Sequence, residues 1–161
     1  MPVTYDVWLV LTSIAVAILA SYVALRLASR VCVARGGAAS LFWLAGGAVS
    51  MGMGIWSMHF VGMLAASIGI QMAFHLGWTG LSLLIAVLVS GFALFLVSSD
   101  SLGQGKLLCG GAAMGLGIAS MHYVGMGAME VSPSIRYQPV LFTLSVLIVM
   151  AASCAALWLF F

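Results

Sequence analysis

Charge is the scarcest property of this sequence: 5% of its 161 residues are charged, five of them basic and three acidic, against roughly 25% in an average soluble domain. A soluble fold of this size needs a polar surface that eight charged side chains cannot supply, so the expected solvent for most of the chain is lipid. Alternating segments of about 10 residues, which a membrane β-barrel requires, are missing as well. Proline, with three residues, interrupts no long apolar stretch. The three cysteines, Cys32, Cys109 and Cys154, form no CxxC pair; Cys109 and Cys154 fall in apolar runs, where a lone thiol serves as a small hydrophobe, and no structural disulfide is expected. The start, Met1 to Asp6, has no basic residue, so the first apolar run is not read as a cleaved signal peptide. The net charge of +2 comes from a few basic residues at helix ends and predicts no nucleic-acid binding.

What remains is 65% hydrophobic. A hydrocarbon core takes about 20 apolar residues per helical crossing, and five stretches qualify, roughly 7–28, 41–68, 78–98, 107–129 and 140–161. The expected fold is all-α and integral to the membrane. Basic residues prefer cytoplasmic loops. Arg26, Arg30 and Arg35 mark the first loop region and Lys106 the third, Asp100 to Lys106. The second, Gly69 to Gly77, has no basic residue, and the fourth, Glu130 to Gln138, has Arg136 alone. The N-terminus is therefore expected outside the cytoplasm, with Asp6, His75 and Glu130 at the outer boundary.

The chain repeats itself. Met51-Gly-Met-Gly-Ile-Trp-Ser-Met-His-Phe-Val-Gly-Met63 returns 63 residues later as Met114-Gly-Leu-Gly-Ile-Ala-Ser-Met-His-Tyr-Val-Gly-Met126, with ten of thirteen positions identical. The odd-numbered helices repeat more loosely, through Ser13, Ser82 and Ser145, then Ser21, Ser90 and Ser153, then Ala24-Leu25, Ala93-Leu94 and Ala156-Leu157. An aromatic–polar pair precedes each: Tyr5-Asp6, Phe74-His75, Tyr137-Gln138. A two-helix unit thus occurs at about 5–68 and 74–130, and half of it again at 137–161. Each unit crosses twice, so the copies share one orientation, unlike the inverted repeats of many transporters.

The repeat carries His59 and His122, each expected near the outer end of its helix and at similar depth. An ionisable group inside a membrane is a functional-site candidate by default. Met63 and Met126, at i+4, share the helix face of each His, as does Met129 at i+7 after His122, where the first unit has Ala66. Met58 and Met121, at i−1, are turned about 100° away. Small residues on that other side, Gly54, Gly62, Gly117 and Gly125, together with the Gly111–Gly115 step, permit close helix approach. Imidazole and thioether form a soft donor set that selects copper, Cu(I) above all. Haem held by His/His or His/Met is the chemical rival. Most methionines are packing residues, and a boundary His can simply bond a backbone carbonyl; repetition of the whole string favours ligand binding. His75 lies in a loop outside the repeat and reads as solvated. Asp6 and Glu130 read the same way, or as acceptors orienting a His. Trp43, Trp56 and Trp78 read as packing or interface anchors.

The strings Met58-His59-Phe60-Val61-Gly62-Met63 and Met121-His122-Tyr123-Val124-Gly125-Met126 resemble the signature of the MHYT domain, a bacterial integral membrane sensor domain, over essentially the whole chain. The resemblance implies copper bound through Met, His and Tyr near the outer face. It implies sensing of oxygen, carbon monoxide or nitric oxide, and fusion to cytoplasmic output domains of cyclic di-GMP metabolism or DNA-binding regulation. The matching positions are Met58, His59, Met63, Met121, His122, Tyr123 and Met126. The sequence departs from the pattern at Phe60, which has no oxygen to ligate, and at Val61 and Val124, where the pattern has Thr. The family typically has a third motif on a sixth helix, and the sequence here stops at Phe161 in the fifth; a fragment, a truncated reading frame and a short variant completed by self-association all accommodate this.

The leading expectation is a copper-binding, gas-sensing module of the bacterial inner membrane. A small metal or solute transporter is the alternative, although the polar candidates cluster at one end and trace no path across. A structural bundle with His as packing glue ranks below it. An enzyme ranks lowest, since no nucleophile–base pair or buried acid is present. Small residues in the fifth helix (Ala151, Ala152, Ser153, Ala155, Ala156) suggest self-association.

Overall fold

A computed structural model describes residues 4–34, 37–67, 73–98, 103–130 and 137–160. Arg35 and Arg136, used above to orient the chain, lie outside the described residues. Five helices account for nearly all of the rest: α1 (Val7–Val33), α2 (Gly37–Ala65), α3 (Leu76–Val97), α4 (Gln104–Gly127) and α5 (Pro139–Phe160). All five are long and apolar enough to cross a membrane. Large apolar side chains such as Trp8, Leu19, Phe42, Leu88 and Leu147 face outward, as they do when lipid is the solvent. The fold class is thus all-α and multi-pass.

Four two-residue strands mark one end of the bundle: β1 (Thr4–Tyr5), β2 (Ala66–Ser67), β3 (Ala73–Phe74) and β4 (Met129–Glu130). β1 pairs antiparallel with β2, and β3 with β4. The second apolar stretch, read from sequence as 41–68, therefore ends its helix at Ala65. Met129 belongs to β4 and not to a helix, so the i+7 argument that set it on the His122 face does not hold. The strands explain the repeated aromatic–polar pairs. Tyr5 and Phe74 close a strand, and the next residue caps an odd helix. The backbone N–H of Asp6 donates to the Ala65 carbonyl at 2.9 Å, and that of His75 to the Ala128 carbonyl at 2.8 Å. The last carbonyls of a helix have no partner of their own, and here the leader of the same unit supplies one. Asp6 is more than a solvated boundary residue: its carboxylate accepts from the Trp8 and Leu9 N–H groups at 2.9 and 3.3 Å, capping α1 and orienting no histidine.

Glycine sets the distance between helices, and does so twice. A methyl on Gly52 would stand 2.6 Å from the Cα of Val87, and one on Gly115 2.5 Å from the Cα of Met150. Both pairs join an even helix to the odd helix after it, at positions 63 residues apart. Gly111 likewise lies against the Cα of Cys154, and Gly54 against Ala20. Each helix packs chiefly on its neighbours in the chain. At the end opposite the strands, Arg30 lies over the ring of Trp43 at 5.0 Å, so Trp43 holds a basic residue across the α1–α2 junction.

Candidate metal centre

His59 and His122 lie six and five residues before the ends of α2 and α4, toward the strand end. Their equal depth follows from the repeat; their meeting follows from the packing of the two units. The ring centroids are 4.8 Å apart, with the planes at 64°. The His59 Nε2 is buried and has no hydrogen-bond partner. A methyl on Gly125 would stand 3.4 Å from that atom, at ordinary contact distance. Beside the pair is a cavity of about 270 Å³, bordered by Ile55, Met58, His59, Ile118, Ala119, Met121, His122, Tyr123, Ser145 and Val149.

Five of the seven candidates from the sequence therefore converge: Met58, His59, Met121, His122 and Tyr123. Met63 and Met126 are half-buried and are not among the cavity's walls. Ideal helix spacing had ranked the methionines the other way. The reason is that the cavity occupies a crevice shared by α2, α4 and α5, and not a strip directly under each imidazole. A side chain turned by about 100° still borders it, and a flexible thioether fills such irregular spaces.

Hydroxyls fix the surroundings. Ser13 donates to the Met58 carbonyl at 2.9 Å, tying α1 to the peptide before His59. Ser82 Oγ donates to the Thr79 carbonyl at 2.8 Å and accepts from the Trp56 indole N–H at 3.0 Å. Ser145, its counterpart in the next unit, donates to the Phe142 carbonyl at 2.8 Å and bonds the Tyr123 hydroxyl. With the serine proton spent on that carbonyl, Tyr123 is the donor. Trp56 is thus a hydrogen-bonding partner of Ser82, a role that its reading as a packing or interface anchor did not include. Each odd helix after the first is pinned by an aromatic donor, Trp56 in one copy and Tyr123 in the other. The exchange makes sense of Phe60, which has no hydroxyl and stacks on Trp56 at 4.4 Å.

Aromatic rings continue from here to the strand end. Phe60 meets Phe74 at 5.4 Å, and Tyr123 meets Tyr137 at 5.5 Å. Burial, and then the neighbouring Tyr123, push the Tyr137 phenol above its ordinary pKa, so it stays neutral. His75 is exposed at the start of α3, and Glu130 is exposed in β4. Among the described residues no three of His, Cys, Asp or Glu gather. A metal at the histidine pair would find thioether and phenol among the cavity's other walls.

A multi-pass helical bundle with a repeated Met-His string at one depth defines a membrane domain built from a repeated unit. The model of the MHYT family, described as a bacterial signalling protein N-terminal repeat, matches residues 1–41, 52–110 and 115–161, and the chain belongs to that family. It is 54% identical over 158 residues to the bifunctional diguanylate cyclase/cyclic di-GMP phosphodiesterase MucR of Pseudomonas aeruginosa, covering 98% of this chain and 23% of the relative. It is 43% identical over 161 residues to the signaling protein YkoW of Bacillus subtilis, with 99% and 20% covered. Identity to the cyclic di-GMP phosphodiesterase NbdA of P. aeruginosa is 42% over 154 residues, with 96% and 19% covered. The chain thus spans about a fifth of the length of these relatives. No solved structure matches it.

Proposed function

We propose that this membrane signalling module binds copper at His59 and His122, with Met58 and Met121 as thioether ligands, and senses a diatomic gas there. The observation that carries the reading is the buried, unbonded His59 Nε2, on a ring whose centroid lies 4.8 Å from that of a second imidazole. Leaving a buried polar atom without a partner is costly, and a metal supplies the partner. The soft donors suit Cu(I), whose chemistry is the reversible binding of oxygen, carbon monoxide or nitric oxide. Tyr123 borders the cavity with its proton given to Ser145, which leaves its oxygen lone pairs free. A volume of about 270 Å³ lies below the range that holds drug-sized ligands, which favours an ion and a small ligand over haem.

The chain itself is not catalytic on this reading. The activities named for MucR and NbdA belong to the four fifths of those proteins that this chain does not span. Its partners are the lipid of the bacterial inner membrane and a cytoplasmic output domain acting in cyclic di-GMP signalling. Signalling requires two helix arrangements that the ligand binds unequally. The α2–α4 approach at the histidines is the place where a metal–gas complex would bias them.

Metal content and an absorption spectrum, on protein in detergent beside the His59→Ala/His122→Ala variant, test this. Copper in the parent and its loss in the variant are the expected outcome. A Soret band moves the reading to haem, and copper retained by the variant removes it.

A further inference from the structure

Two of the differences between the units lie along the wall of the histidine cavity. Trp56 and Leu64 of the first unit correspond, 63 residues on, to Ala119 and Gly127. The lost volume leaves a groove of about 660 Å³ on α4 between α3 and α5, bordered by Trp78, Leu116, Ala119, Tyr123, Gly127 and Phe142 among others. Trp78, Leu116 and Phe142 are 52%, 50% and 42% exposed, on helices that span the membrane, so the groove faces hydrocarbon. Two of its walls, Ala119 and Tyr123, are also walls of the cavity beside His59 and His122. Tyr123 stands at the α4–α5 seam between the two spaces, its hydroxyl bonded to Ser145, which borders the cavity.

We infer that this groove is a lateral portal, by which a small apolar solute dissolved in the lipid reaches the histidine cavity, and that Tyr123 is its gate. The inference rests on the reading of that cavity as the ligand site, and it names the route the ligand takes. Apolar gases partition into hydrocarbon, so a portal open to lipid meets them where they are most concentrated. The Tyr123–Ser145 bond holds the ring across the passage, and rotation of one side chain opens it on the timescale of rotamer exchange. In the first unit Trp56 occupies the corresponding place.

The test uses diethyl pyrocarbonate, a lipid-soluble reagent that acylates neutral imidazole, on the metal-free chain in liposomes. Modification of each histidine is read by mass spectrometry. Exposed His75 is the internal control for aqueous reactivity, and the absence of metal separates this result from the copper assay. Filling the groove with the first unit's own residues, in Ala119→Trp and separately Gly127→Leu, is the decisive variant pair. A Cβ on Gly127 meets nothing within 4 Å, so that variant is the milder of the two. Labelling of His59 and His122 is expected to fall roughly tenfold where side chains replace the void, since close-packed interiors leave no gap wider than a water, with His75 unchanged. Tyr123→Phe, which removes the latch and keeps the ring, is expected to raise their labelling severalfold. Unchanged labelling of His59 and His122 in the filled variants overturns the portal and points to entry from the aqueous end. Labelling that is absent in liposomes and present in detergent also overturns it, since an acyl chain then occupies the groove.

Discussion

Met58 and Met121 sit one residue before the histidines and Met63 and Met126 four residues after, and the fold treats the two pairs differently. Only the first pair borders the cavity. If copper binds there, Met58→Leu with Met121→Leu should weaken it by at least about tenfold, or 1.4 kcal/mol. Met63→Leu with Met126→Leu, a volume-conserving change in a half-buried position, should leave affinity unchanged. Competitive Cu(I) titration of both double variants checks this, and equal losses would restore the i+4 pair as ligands. Tyr123 and Phe60 make the same point about single positions. They are equivalent in the repeat, yet only one has a hydroxyl, and the missing donor in the other copy is supplied by Trp56 a turn earlier.

Helices here adhere through backbone contact more than through large side chains. Gly111 and Gly115 put α4 against the Cα atoms of Cys154 and Met150. Without a hydrophobic force between helices in lipid, such close packing is what holds them. Gly115→Val should therefore destabilise by about 1–3 kcal/mol through overpacking, read as a lower melting temperature in detergent. Gly105→Ala, where a Cβ meets nothing within 4 Å, should be neutral or stabilising by up to about 1 kcal/mol. Asp6→Ala removes the α1 cap and should cost about 1 kcal/mol, which the same melts measure. A loss at Gly115 no larger than at Gly105 would contradict the close approach of α4 and α5.

At the scale of the molecule, all four strands and both histidines lie toward one end, and Arg26 and Arg30 lie toward the other. From the basic residues the arginine end is expected in the cytoplasm. In a variant with its three native cysteines replaced by alanine, Glu130→Cys should react with a membrane-impermeant thiol reagent in intact cells. Lys106→Cys should react only after permeabilisation. The reverse pattern would invert the topology and put the histidine pair on the cytoplasmic side. Self-association through α5 is expected at the same scale. Its Ser153 is buried within the bundle, but Ala151, Ala152 and Ala155 remain exposed. Sedimentation in detergent should show a dimer, and a monomer at all concentrations would remove that expectation.

Composition and periodicity were enough to determine the solvent, the number of crossings, the two-and-a-half-fold repeat and the two histidines at one depth. Each is a property of one segment or of the comparison between two segments, and local chemistry settles it: too little charge for water, enough apolar length for lipid, one string written twice. The tertiary structure decided what no single segment contains. Helix pitch relates a methionine to the histidine on its own helix, but the cavity is made by three helices, and their crossing selected Met58 and Met121. The strands were invisible because two-residue pairings have no periodicity of their own. Tyr5 and Phe74 become strand ends only when the far end of another helix arrives to pair with them. The groove beside Tyr123 arises from Ala119 and Gly127 standing where the first unit has Trp56 and Leu64. That substitution is legible in the repeat, but its consequence depends on α3 and α5 standing apart across α4, and only packing sets that distance.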